Sequence, residues 1–125
     1  MNIVILDGYT TNPGDLSWAP LEQFGAVTAY DRTAPQEILE RSEKADILIT
    51  NKTVLTGEIL VRLPTVKFIS LLSTGTNAVD LAAAAKRRIP VANVPDYSTP
   101  TVAQMTFALI LELCLHVAAH GEAVR

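Results

Sequence analysis

The sequence predicts an α/β protein built on one open parallel sheet. Three observations lead there. Five short runs rich in Val, Ile and Leu alternate with segments of helical pattern. No run is joined to the next by a hairpin signal, so each strand returns through a crossover. The 125 residues suit one domain with a real core.

The elements follow in order. Residues 2–6 are an apolar run ending at Asp7-Gly8, a first buried strand. Residues 9–15 are rich in Thr, Asn, Pro and Gly and read as a loop. Asp15 or Ser17 caps a helix through Trp18 and Leu21 to Phe24, and Gly25 ends it. Residues 26–30 form the second strand and 31–34 a turn. Pro35 opens a helix to Lys44, with Ile38 and Leu39 inward. Residues 46–50 form the third strand, followed by Asn51-Lys52-Thr53. Thr56 caps a short helix to Leu63, which Pro64 closes. Residues 68–72 are the fourth strand and 73–77 a tight turn of small polar residues with one glycine. The pattern then predicts an alanine-rich helix over 78–87, a fifth strand over 90–93, a loop over 94–100, and a long helix over 101–120. Right-handed crossovers on both faces give a three-layer α/β/α fold, for which we take the flavodoxin-like strand order 2-1-3-4-5.

Composition narrows the function classes. The net charge is −3, and the one basic cluster, Lys86-Arg87-Arg88, falls at a helix end. Nucleic-acid binding has little support. Cys114, the single cysteine, lies in an apolar helical run and is expected to be a buried, inert thiol. No Cys/His grouping suggests a metal. His116 and His120 stand four apart on one predicted helix face without a third ligand. The N-terminus opens directly on a strand, without a signal-peptide pattern. Gln104, Glu112, His116 and His120 interrupt the C-terminal apolar run, which argues against a membrane span. A cytoplasmic setting is the expectation.

The candidate site lies in residues 67–80. Asn77 is placed as an N-cap with Asp80 in the first turn, favouring the positive end of the helix dipole. Gly75 adopts backbone angles other residues resist and admits a ligand close to the main chain. The N–H groups of Thr74, Gly75 and Thr76 would then face a phosphate or carboxylate. Strand–glycine-turn–helix junctions also occur where nothing binds. Lys52 has two readings: a cation completing this anion site at the end of the third strand, or a solvated surface lysine. Asn51 stands where a phospho-accepting receiver would need an aspartate. Thr10, Thr11 and Gly14, with Trp18 and Tyr97, make only a faint flavin site. No Gly-x-Gly-x-x-Gly follows a strand, and no catalytic set is visible.

Three blocks, Ile69 to Asp80, Ile89 to Pro95 and Thr101 to Gln104, resemble the D-isomer-specific 2-hydroxyacid dehydrogenases. Asp7 to Trp18 is similar to the glycerate dehydrogenase or hydroxypyruvate reductase branch. The resemblance implies a flavodoxin-like substrate domain over 1–100 and an interdomain and dimerisation helix over 101–125. It implies that Lys52, Thr74 and Gly75 bind the carboxylate of a small 2-hydroxy or 2-oxo acid. Thr101 and Val102 would lie near the nicotinamide of NAD(P). The family's Rossmann domain, with its glycine fingerprint and catalytic Arg, Glu and His, has no counterpart in these residues. Gln104 replaces the usual acidic residue after Val-Ala. The expectation is therefore a lone substrate domain, excised, truncated or engineered, without cofactor or turnover of its own. It is expected to form a homodimer through residues 101–120. The alternatives are a flavodoxin-like scaffold or anion-binding domain that dimerises through its last helix, and an electron carrier of the same fold.

Overall fold

The computed structural model describes residues 1–124. They fall into two compact units, one ending at Pro95 and one beginning at Asp96.

The first unit is organised on a five-stranded sheet of order β2-β1-β3-β4-β5. The strands are β1 (Asn2–Ile5), β2 (Ala26–Ala29), β3 (Ile47–Thr50), β4 (Phe68–Leu71) and β5 (Val91–Ala92). Every pairing is parallel, with Ile3 opposite Val27 and Ile47, and Leu48 opposite Ile69. The expected topology is therefore the observed one. β5 is shorter than expected, and β2 ends at Ala29 rather than Tyr30.

Alternation along the strands divides the core by face. Val4, Leu6, Leu48, Ile69 and Leu71 point to one side, where they meet Ile38, Leu60, Leu63 and Ala84. These come from α1 (Ile38–Ser42), α2 (Gly57–Val61) with the turn after it, and α3 (Leu81–Lys86). Ile3, Ile5 and Ile49 point to the other side, against Trp18 and Leu21. The segment Ala19–Phe24 there is a 3-10 helix and not the expected α-helix. The expected helix over 35–44 is likewise a 3-10 turn, Pro35–Glu37, running into the short α1.

Helix ends have identifiable causes. Thr56 caps α2, its hydroxyl accepting from the N–H of Ile59 at 3.3 Å, as expected. Just past the other end of α2, the Arg87 guanidinium donates to the carbonyls of Leu60 and Leu63, adding a side-chain donor to the backbone N–H groups of Leu63 and Val66 that they already accept. The cap of α3 corrects the sequence reading. Asp80, not Asn77, is the N-cap, its carboxylate accepting from the N–H of Ala83 at 2.9 Å. Val79 is held in a bridge to Leu55, and Asp80 donates its N–H to the Leu55 carbonyl. That pairing keeps the chain extended through Val79 and delays the helix. α3 ends with Arg88 in the left-handed region, φ 56°. Ile89 donates to the Ala84 carbonyl and Arg88 to that of Ala85, closing a Schellman motif without its usual glycine.

The second unit contains α4 (Thr99–Leu115) and α5 (Val117–Ala123). The single helix expected over 101–120 is thus two. His116 sits between them in the left-handed region, φ 48°, so His116 and His120 do not share one helix face. Pro100, expected in a loop, lies in the first turn of α4, where its missing N–H costs nothing. Cys114 is exposed rather than buried. Among the described residues no single helix is long and apolar enough to cross a membrane. The α4–α5 pair reaches that length and composition together, but bends by 55°.

Candidate functional site

The site is built from two loops at the carboxyl ends of adjacent strands. The first follows β3. Asp7, just beyond β1 and 3% exposed, turns its carboxylate onto this loop. Oδ1 accepts from the N–H of Asn51 at 2.8 Å. Oδ2 accepts from the N–H groups of Lys52 at 2.5 Å and Thr53 at 2.7 Å. The buried Thr50 hydroxyl donates to the same oxygen at 3.2 Å. Asn51 adds a bond from its side-chain amide to the Thr10 hydroxyl, at 3.0 Å. The backbone of Lys52 is therefore fixed while its side chain stays exposed, in no ion pair among the described residues.

The second loop follows β4, and its polar groups are sorted by direction. Each carbonyl has a partner inside the protein. Val94 donates to Ser73 O at 3.1 Å, and the Asn93 side chain donates to Thr74 O at 2.7 Å. The Ser73 hydroxyl donates to Gly75 O at 2.8 Å, and Val79 donates to Thr76 O at 3.1 Å. The N–H groups of Thr74, Gly75 and Thr76 have no acceptor among the described residues. A loop with satisfied carbonyls and free amides presents positive partial charge outward, which is what a carboxylate needs.

Two details of this loop differ from expectation. Gly75 does not use the left-handed region. A Cβ there would lie 2.9 Å from Asn77 Oδ1, so glycine is favoured by this close approach to an exposed side chain rather than by φ. In addition, α3 begins at Leu81 and spans six residues, so the loop amides are not its first-turn donors and the helix dipole adds little.

Lys52 and Gly75 border one small cavity of about 100 Å³, together with Asn51, Ser73 and Asn77. The expected pairing of cation and glycine turn on one rim is thus present. Thr74 is exposed on the same loop and does not line the cavity. Thr101 and Val102 lie exposed in the first turn of α4, in the second unit. No group of three or more His, Cys, Asp or Glu able to hold a metal occurs among the described residues. Strand order brings three loops together here, residues 7–9, 51–53 and 73–77, as expected; what sequence reasoning did not assign is the bonding of the Asp7 carboxylate to the loop after β3. Order 2-1-3 sets the end of β1 beside the end of β3, but not which backbone groups the carboxylate takes.

Residues 3–123 match the family model for the D-isomer specific 2-hydroxyacid dehydrogenase catalytic domain. The chain belongs to this family. Among relatives of this 2-hydroxyacid dehydrogenase domain, a hydroxypyruvate reductase of Blautia hydrogenotrophica is 46% identical over 127 residues, covering 99% of the chain and 39% of that protein. A glycerate dehydrogenase of Methylorubrum extorquens is 35% identical over 97 residues, covering 77% of the chain and 31% of that protein. A solved acyclic imino acid reductase, Bsp5, in complex with NADPH and D-Arg, superposes with a TM-score of 0.82 at 25% identity, over 100% of the chain and 41% of that structure. The domain therefore spans about two fifths of the length of such relatives.

Proposed function

We propose that the chain is the substrate domain of an NAD(P)-dependent D-2-hydroxyacid dehydrogenase of the hydroxypyruvate reductase type. The observation that carries this reading is the β4 loop, with its carbonyls bonded inward and the amides of Thr74, Gly75 and Thr76 free. The carboxylate of a small 2-oxo or 2-hydroxy acid accepts from these amides, and Lys52 supplies the neutralising charge. The cavity beside Lys52 and Gly75 suits a ligand of a few heavy atoms.

In this reading, hydride comes from NAD(P)H held by a cofactor domain outside these residues, with Thr101 and Val102 on its approach. Alone, the chain turns over no substrate. The exposed apolar side chains of α4, among them Met105, Phe107, Leu109 and Leu113, support a homodimer through residues 101–120. The exposed, unpaired thiol of Cys114 suits the reducing cytoplasm.

The test is a titration of the isotope-labelled chain with hydroxypyruvate and with D-glycerate, following backbone amides. The Gly75 and Thr76 amides should shift, and Lys52→Gln should weaken the binding about tenfold, the value of one charge-assisted hydrogen bond. A Gly75 amide unmoved at millimolar ligand refutes the reading. Light scattering that reports a monomer at high concentration refutes the dimer.

A further inference from the structure

Strand order reverses between β1 and β3, and a second, larger crevice of about 420 Å³ opens there. Three features of its wall point to a ligand. Arg32 and Lys52 both border it, and neither side chain makes an ion pair or a hydrogen bond among the described residues. The Arg32 guanidinium carbon lies 5.5 Å from the centroid of the Tyr9 ring, which holds the head while leaving its N–H edge unsatisfied. Thr53 is 9% exposed, and its hydroxyl has no partner although its N–H is bonded to Asp7. Pro35 and Ile38 supply an apolar wall. One carboxylate, Asp7, also borders the crevice, but the N–H groups of Asn51, Lys52 and Thr53 take up its charge, and two cations oppose it.

We propose that this crevice is a second ligand site, for a small organic anion. Its carboxylate or phosphate head sits between Arg32 and Lys52 and accepts from the Thr53 hydroxyl. Its short aliphatic body lies on Pro35 and Ile38. Lys52 borders this crevice and also the cavity at Gly75, so an anion here draws on the ammonium that serves the substrate carboxylate. The two occupancies oppose each other, and by linkage the antagonism is mutual.

The experiment titrates the labelled 125-residue chain separately with butyrate, monobutyl phosphate and inorganic phosphate, following the amides of Arg32 and Thr53. At least one of the two butyl ligands should shift both amides, and the tighter one assigns the head as carboxylate or phosphate. Arg32→Gln, at an exposed position, should weaken this binding about tenfold or more. Thr53→Val should weaken it while leaving distant resonances in place, and saturating D-glycerate should weaken it as well. The proposal fails if neither butyl ligand moves these amides at millimolar concentration, if Arg32→Gln leaves affinity unchanged, or if inorganic phosphate binds as tightly as the butyl ligands. Glycerate without effect refutes the sharing of Lys52. Shifts at Gly75 with hydroxypyruvate report on the substrate site, so the failure of either reading is visible without the other.

Discussion

Asp7 Oδ2 accepts the backbone N–H of Lys52 at 2.5 Å, so a carboxylate just beyond β1 fixes the backbone that carries a cation just beyond β3. The same carboxylate also takes the N–H groups of Asn51 and Thr53. Removing it would leave the N–H groups of Asn51 and Lys52, the first on a buried residue, without an acceptor, while Thr53 would keep only its longer bond to the Thr50 hydroxyl at 3.1 Å.

Asp7→Ala should therefore destabilise the first unit by about 3 kcal/mol or more, since each buried orphaned donor costs about 1–3 kcal/mol. Asp7→Asn keeps one acceptor oxygen but sets an amide N–H₂ against a donor, and should cost about 2 kcal/mol. Urea denaturation measures both. An unchanged midpoint for Asp7→Ala would show that the loop holds itself without this carboxylate.

Gly75→Ala separates packing from recognition. The new methyl meets Asn77 Oδ1 at 2.9 Å, and Asn77 is exposed and free to turn away. Stability should fall by no more than about 1 kcal/mol. Hydroxypyruvate binding should fall further, because the methyl enters the cavity that Lys52 shares. Adding Asn77→Ala should restore the melting temperature and not the affinity. Recovery of both would place the defect in the Asn77 contact alone.

Arg88→Gly should stabilise the protein. Arg88 holds φ 56° at the end of α3, a conformation that costs a residue with a Cβ about 1 kcal/mol and glycine almost nothing. The gain should appear as a raised urea midpoint. A loss would mean that the Arg88 side chain contributes more than its backbone costs.

Asp46 carries a pH dependence. Its carboxyl is held below the ordinary value of 3.8, first by the hydrogen bond from the Lys67 ammonium and then by the N–H of Asn2. A carboxyl lowered in the folded state contributes stability that is present above 3.8 and lost as pH falls below it. The stability difference between the native protein and Asp46→Asn should thus be constant at neutral pH and vanish below this range. Because the pair lies at the surface, the difference should be small and should shrink with added salt. A difference that persists in strong acid would assign it to another cause.

The sheet was legible because parallel strands buried on both faces read as short continuous apolar runs, plainest in β1 and β3, while β2 at the edge is largely exposed and its run is weaker. Gly75 followed from the strand–turn–helix pattern around it, and strand order set Lys52 near it. What stayed hidden depended on contacts across the sequence. Asn77 and Asp80 are both good caps, and only the Leu55–Val79 bridge chooses between them. No glycine marks the break at His116, so the helical pattern runs straight through it. Strand order puts Asp7 near the loop after β3, but that its carboxylate takes three N–H groups of that loop depends on the turn's geometry.

That last placement bears on the order of events during folding. Asp7 and Lys52 are separated by 45 residues of chain, and the bond between them cannot form until β1 and β3 have met. A partly folded chain can have its helices and still lack a shaped recognition loop. Competence to hold an anion should consequently arrive late and all at once, together with the long-range closure of the sheet.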